Sequence, residues 1–279
     1  MKKFLVMQTD FSYKSGAVAV MHGVSYQLDP ELVIDDISHE VDKWNPYAAS
    51  TNLAYVLPYW PKGTVFVSVI DPGVGTDRRA CVARTKNGYY IVTPDNGALT
   101  HVDREFGIDE VRVIDESVNR YPGTEEINIF HGRDLFAYCG AKLASGIITF
   151  EEVGPAYPTE EIVRIKMEDA SIQDGVITGF ISNNNANFGI NVSNIPVSLL
   201  KELEIELGDK IHLSVRKEGK TYFDEDVLYH RSFGYVAKGE PIAYNAEGMQ
   251  MGFALNQDDF MKKYHVSFGP DWIVKVKKA

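Results

Sequence analysis

The sequence predicts an α/β layer fold over residues 1–158 and a smaller, β-rich domain over residues 159–279. Three observations carry this reading. Apolar runs of strand length alternate with stretches of helical spacing as far as Pro155. Beyond it, short alternating runs broken by Gly, Asn and Pro take over. A composition of 44% apolar and 24% charged residues belongs to a chain that buries a core, not to a disordered one.

Phe4–Gln8 is a short apolar strand ending in Thr9-Asp10-Phe11. Between Gly16 and Leu28, the residues Ala17, Val20, Met21, Val24 and Leu28 recur at helical spacing, and Leu32–Asp36 is a second strand. A polar loop, His39 to Asn45, leads to Pro46. Asn45-Pro46 is an N-cap and first-turn pair that opens a helix through about Leu57. Thr64–Ile70 has no polar alternation, as a strand buried on both faces requires, and it runs straight into Asp71-Pro72-Gly73-Val74-Gly75. Strands near Ala80–Thr85 and Tyr89–Val92 precede the turn Pro94-Asp95-Asn96-Gly97. A helix follows Gly132-Arg133-Asp134, with Leu135, Phe136, Cys139, Leu143 and Ala144 inward. In the second domain Asp174–Ile181, Lys210–Arg216 and Tyr264–Phe268 read as strands of a barrel or sandwich, and only Val197–Glu206 as a helix.

The chain carries 28 basic and 39 acidic residues, a formal charge of -11. A negative field argues against nucleic acid or an anionic membrane as partner and leaves room for a small cationic substrate. The stretch Met1–Asp10 has only Phe4–Met7 as an apolar run, shorter than the ~7–15 residues of a secretory leader. No run approaches the ~20 residues of a membrane span. Cys81 and Cys139 lack metal-ligand spacing and read as small buried hydrophobes of a reducing compartment, so a cytoplasmic protein is expected.

In α/β sheets ligands gather at the carboxyl ends of strands, where Thr9-Asp10, Asp71 and Asp95-Asn96 fall. Asp71 either places a carboxylate for catalysis or merely caps its turn. Arg78, seven residues on, comes beside it through a hairpin-like turn or makes a surface salt bridge of little worth. Arg79 should face the other way. His131 is a catalytic imidazole at a helix mouth or a hydrogen-bonded core residue. Asp10 suits the two hydroxyls of a ribose, or the N-cap of the next helix. Trp44 and Phe188 are aromatic walls for a base, or anchors of their own loops. The asparagines around Phe188, Asn185 among them, are turn formers. None of the seven histidines stands in an HxxxH or HExxH pattern, so no metal is expected; no glycine pattern cradles a phosphate or dinucleotide.

Together the segments Thr9-Asp10-Phe11, Pro61 to Val65, Asp71 to Arg79, Pro94 to Gly97, Phe130 to Asp134 and Ala254 to Gln257 resemble those of the S-adenosyl-L-methionine hydrolases (hydroxide adenosyltransferases), relatives of fluorinase and chlorinase. The pair DPGVGTxRR and FHGRD is the specific part. The resemblance implies a Rossmann-like N-terminal domain, a C-terminal β-barrel and a homotrimer with active sites between subunits. It assigns Asp71, Arg78 and His131 to the attacking water, and substrate contacts to Asp10, Trp44, Gly132, Asn185, Phe188 and Asn256. It further implies adenosine and L-methionine as products, with no cofactor. Two departures stand out. Ser15 occupies the place of an aspartate near the methionine end of the substrate, and Asn185 to Ile190 replaces the usual FGN run. Two other readings are a halide-dependent adenosyltransferase, which the Asp71 charge disfavours, and a non-catalytic nucleoside binder.

Overall fold

A computed structural model describes residues 3–279; Met1 and Lys2, part of the stretch read as lacking a leader, lie outside them. The chain divides into two compact units, Met1–Ile165 and Lys166–Ala279.

The first unit contains strands β1 (Phe4–Thr9), β2 (Val33–Ser38), β3 (Val65–Val69), β4 (Ala80–Thr85), β5 (Tyr90–Pro94), β6 (Ile108–Val113) and β7 (Ala156–Tyr157). Its helices are α1 (Ala17–Leu28), α2 (Pro46–Val56), α3 (Thr100–Phe106), α4 (Glu116–Asn119) and α5 (Tyr138–Ser145). The seven strands form one sheet in the order β2-β1-β3-β5-β4-β6-β7. β2, β1, β3 and β5 are parallel neighbours, and β4, β6 and β7 join antiparallel. Alternation along a strand sends neighbouring residues to opposite cores. Leu5, Met7 and Val67 pack with Met21 and Phe136 on one face, and Val6 and Phe66 pack with Leu53 and Leu99 on the other. Both faces of β3 are therefore buried, which is why its sequence has no polar alternation. Asn45 caps α2 as expected, its side chain accepting from Ala48 N–H at 3.2 Å.

The second unit contains β8 (Ser171–Gln173), β9 (Val176–Asn185), β10 (Ile190–Pro196), β11 (Lys210–Lys217), β12 (Lys220–Tyr229), β13 (Pro241–Asn245), β14 (Gln250–Leu255) and β15 (Gly269–Lys278), with α6 (Val197–Glu202) and α7 (Phe260–Tyr264). Strands run β10-β14-β13-β12-β11-β15-β9-β8, and a further pairing of β9 with β10 closes seven of them into a barrel. Leu213, Val215, Phe253, Phe260 and Val274 fill it.

Three details depart from the sequence reading. The strand expected from Asp174 begins at Val176, because Asp174 (φ 51°) and Gly175 (φ 74°) form the two-residue turn between β8 and β9. The helix expected through Glu206 stops at Glu202. Tyr264–Phe268, expected as a strand, is instead the last residue of α7 and the loop after it. Phe260 and Tyr264 lie one helical turn apart and meet at 4.7 Å between ring centres, contacts that outweigh the local alternation. Among the described residues no helix is long and apolar enough to cross a membrane. Both cysteines are buried and free, and burial pushes each thiol up to about 12.

Candidate active site

β3 delivers Asp71 to its carboxyl end, and the following turn is built to fold the chain back on it. The Asp71 carboxylate accepts Gly73 N–H at 3.2 Å, and Val74 N–H reaches the Asp71 carbonyl at 3.3 Å. Thr76 ties the turn again, its hydroxyl donating to Gly73 O at 2.7 Å. Gly75 has φ +75°, and a Cβ there would lie 2.8 Å from the Asn128 carbonyl oxygen, so only glycine fits. The turn returns Arg78 to Asp71. Arg78 Nε lies 3.0 and 2.9 Å from the two carboxylate oxygens, and Nη2 closes a second, shorter bond to Oδ2. The pair is nearly dry, with side chains 5% (Asp71) and 11% (Arg78) exposed, and the Arg78 guanidinium also lies over the Phe136 ring at 5.1 Å. A bidentate, desolvated pair of this kind fixes both partners in orientation.

His131 joins them from the far side of the sequence. Arg78 Nη2 approaches His131 Nδ1 at 3.2 Å. A guanidinium has no lone pair to offer, so Nδ1 accepts and the proton of the neutral ring sits on Nε2. That Nε2 is buried and has no partner among the described residues. Burial first, then the adjacent Arg78 charge, lowers the His131 pKa below its ordinary value, so the ring is neutral at physiological pH. His131 stands at the mouth of a helix that starts as a π-turn over Gly132–Ala137 before becoming α5, a local distortion common at functional sites.

Asp71 and His131 open onto a cleft of about 300 Å³, which Asp10, Phe11, Lys43 and Trp44 also line. Arg78 does not line it; the guanidinium sits behind and ties the other two together. Asp10 is not a helix N-cap: α1 is preceded by Gly16, and Asp10 Oδ2 instead accepts Trp44 N–H at 2.9 Å. That bond holds Trp44 at φ 58°, a conformation that costs a bulky residue ~1–3 kcal/mol. The residue is 71% exposed and lines the cleft. Gly132 packs against Phe11, and a Cβ there would come within 2.7 Å of the Phe11 ring. Arg79 turns to Glu161 Oε2 at 2.7 Å and to the Tyr157 ring, away from the Asp71 pair, as alternation requires. Val74 and Ile129 supply apolar wall that the sequence reading passed over; each is a near neighbour of a residue it singled out.

The remaining candidates belong to the second unit or to the surface. Asn185 ends β9 and Phe188 stands exposed in the turn to β10. Asn256 follows β14, donating through Nδ2 to Val236 O at 2.8 Å. Ser15 is exposed in the loop before α1.

The chain is similar to known proteins over most of its length. The family profile described as "SAM hydroxide adenosyltransferase N-terminal domain" matches residues 5–154, and its C-terminal counterpart matches residues 187–273. A protein of Methanocaldococcus jannaschii named (R)-S-adenosyl-L-methionine hydrolase is 39% identical over 145 residues, 50% of this chain and 52% of that one. The chain thus spans about half the length of the first curated relatives it matches. A Thermus thermophilus protein of the same name is 29% identical over 89% of this chain and 90% of its own. A fluorinase of an Actinoplanes species is 26% identical over 86% and 92%. The solved structure of an uncharacterized conserved protein from Thermotoga maritima superposes with a TM-score of 0.85 at 31% identity, covering 98% of this chain and all of that one.

Proposed function

Because the chain belongs to the SAM hydroxide adenosyltransferase family, we propose that it hydrolyses S-adenosyl-L-methionine to adenosine and L-methionine by attack of water at the ribose 5′ carbon. One observation carries the reading. Asp71, Arg78 and His131 form a single hydrogen-bonded group of which Asp71 and His131 line a cleft, and His131 Nε2 is buried with no partner among the described residues.

The sulfonium is already a good leaving group, so the protein need not protonate it; its task is to hold a water in line with the carbon–sulfur bond. A water has two hydrogens and two lone pairs. Asp71 accepts one hydrogen, His131 Nε2–H occupies one lone pair, and the second lone pair is free to attack. Such positioning is worth up to roughly 7–11 kcal/mol of barrier. The Asp71 oxygens already accept from Arg78 and Gly73, so the carboxylate is a fixed acceptor that takes the proton only as the new bond forms. Asp10 holds the ribose hydroxyls, Trp44 walls the nucleoside, and Gly132 lets Phe11 close the floor. No metal or organic cofactor takes part in this step.

The reading extends to a homotrimer in which each site is completed by a neighbouring subunit. Exposed Trp44 and Ile129 at the cleft, and exposed Phe188 beside Asn185 in the second unit, support it. Asn256 and these two residues then contribute to the adenine end. Two buried free thiols suit a cytoplasmic location, and the net charge of -11 suits a cationic small molecule and no nucleic acid.

The test is incubation with S-adenosyl-L-methionine in heavy-oxygen water. Adenosine labelled at its 5′ hydroxyl is the expected product. A 5′-halo nucleoside in the presence of halide would replace hydrolysis by halide transfer, and tight binding without any product would leave only a nucleoside binder.

A further inference from the structure

Outside the cleft, three side chains from separate elements converge. His22 on α1 places Nε2 3.0 Å from Oδ1 of Asp36 on β2, and His39, just past the end of β2, places its Nε2 3.0 Å from the same oxygen. One donor atom from each residue lies within 4.8 Å of the other two. The spacing of His22, Asp36 and His39 along the chain matches no metal motif, because the fold brings the three together.

Two features separate this group from an ordinary ion pair. His39 is fully buried, and its Nε2, although near Asp36, lacks the alignment of a hydrogen bond and has no other partner among the described residues. An aligned pair would have spent that nitrogen; here it sits within the cluster, 3.0 Å from Asp36 Oδ1, with no aligned bond. The second feature is at the opposite ring nitrogen. His39 Nδ1 lies 2.8 Å from Thr9 Oγ1, an oxygen that also accepts Phe11 N–H at 3.1 Å. A metal-bound imidazole is held in this way, with the far nitrogen donating to a fixed oxygen and the near one offering its lone pair.

We infer that His22 Nε2, His39 Nε2 and Asp36 Oδ1 bind a divalent transition metal ion of the zinc class. Two imidazoles and a carboxylate are the donors that such an ion prefers, and with all three donors already within 4.8 Å of one another, small side-chain shifts bring them to the ~3.3–3.6 Å separations that bonds of ~2.0–2.2 Å set in a tetrahedral site. A water fills the fourth position on the half-exposed side. There Tyr13, whose hydroxyl donates to Asp36 Oδ2 at 3.0 Å, orients the carboxylate. The ion ties α1 to the end of β2 and, through Thr9, to the segment carrying Asp10. It takes no part in the displacement, and the inference stands independently of the proposed hydrolysis.

The test uses the full chain, stripped with a chelator and desalted, titrated with Zn²⁺ by calorimetry and with Co²⁺ by visible absorption. One ion per chain, tetrahedral cobalt bands and a raised thermal midpoint are expected. His22→Gln and Asp36→Asn should each weaken binding by about tenfold or more while the chain remains folded by circular dichroism. His212→Gln, which alters an exposed histidine between two aspartates on the barrel, should leave binding unchanged. Failure of the stripped protein to bind either ion, or equal binding by His22→Gln, would overturn the inference.

Discussion

The first unit and the barrel each carry an imidazole, a carboxylate and a guanidinium within hydrogen-bonding distance. In the barrel, His212 reaches Asp226 at 2.8 Å through Nδ1 and Asp224 at 2.7 Å through Nε2, and Arg216 reaches Asp224 at 3.2 Å. Both ring nitrogens are spent, and the group lies on the solvent face of β11 and β12. In the first unit, Asp71 and Arg78 are nearly dry, and His131, which lines the cleft, has a buried Nε2 with no partner among the described residues. Identical residue types therefore do different things. Solvent screens the barrel cluster and every bond in it is satisfied, so nothing is left to act on a ligand. Burial strengthens the first cluster's charges, and one of its nitrogens stays unsatisfied beside them.

The comparison is most exposed at the carboxylates. Asp71→Asn should lower kcat/KM for adenosine release by on the order of 10²–10³-fold. It should also lower the unfolding free energy by about 1–3 kcal/mol, because Arg78 stays buried without its charge partner. Near-normal turnover would place Asp71 on the same footing as the barrel carboxylates. A smaller effect is expected from pH. The pKa of folded His131 is depressed, so the folded state resists the proton more than the unfolded chain does. The stability this group contributes is complete above about 6.5, the ordinary histidine value, and is lost as pH falls through the lower folded value. Turnover should follow the same limb, since a protonated Nδ1 cannot accept from Arg78. A pH–rate profile of kcat/KM with its acid midpoint at or above 6.5 would contradict this. Smallest of all, Asp224→Asn in the barrel should change the unfolding free energy by less than about 0.5 kcal/mol in denaturant titration. A larger loss would mean that exposure does not separate the two clusters.

Much of the site was legible because its pieces are local. Asp71 and Arg78 lie seven residues apart, and the glycines between them announce a turn that folds one onto the other. His131 lies 53 residues beyond Arg78, and no spacing rule links them; the resemblance to a family pointed there, and the sheet brought them together. The His22, Asp36 and His39 group gave no signal at all, since its donors come from a helix, a strand and a loop. The barrel shows the same limit at smaller scale. Tyr264–Phe268 alternates as a strand does, yet the ring contact of Phe260 with Tyr264 keeps that end of α7 helical.

By itself the sequence determined what depends on near neighbours: the continuous apolar strand leading to Asp71, the Asn45 cap, and the change from α/β to β-rich character. Only the tertiary structure decided which polar atoms lost their water and which kept a bond to give. Burial and unsatisfied hydrogen bonding are sums over residues far apart in the chain, and no short window contains them.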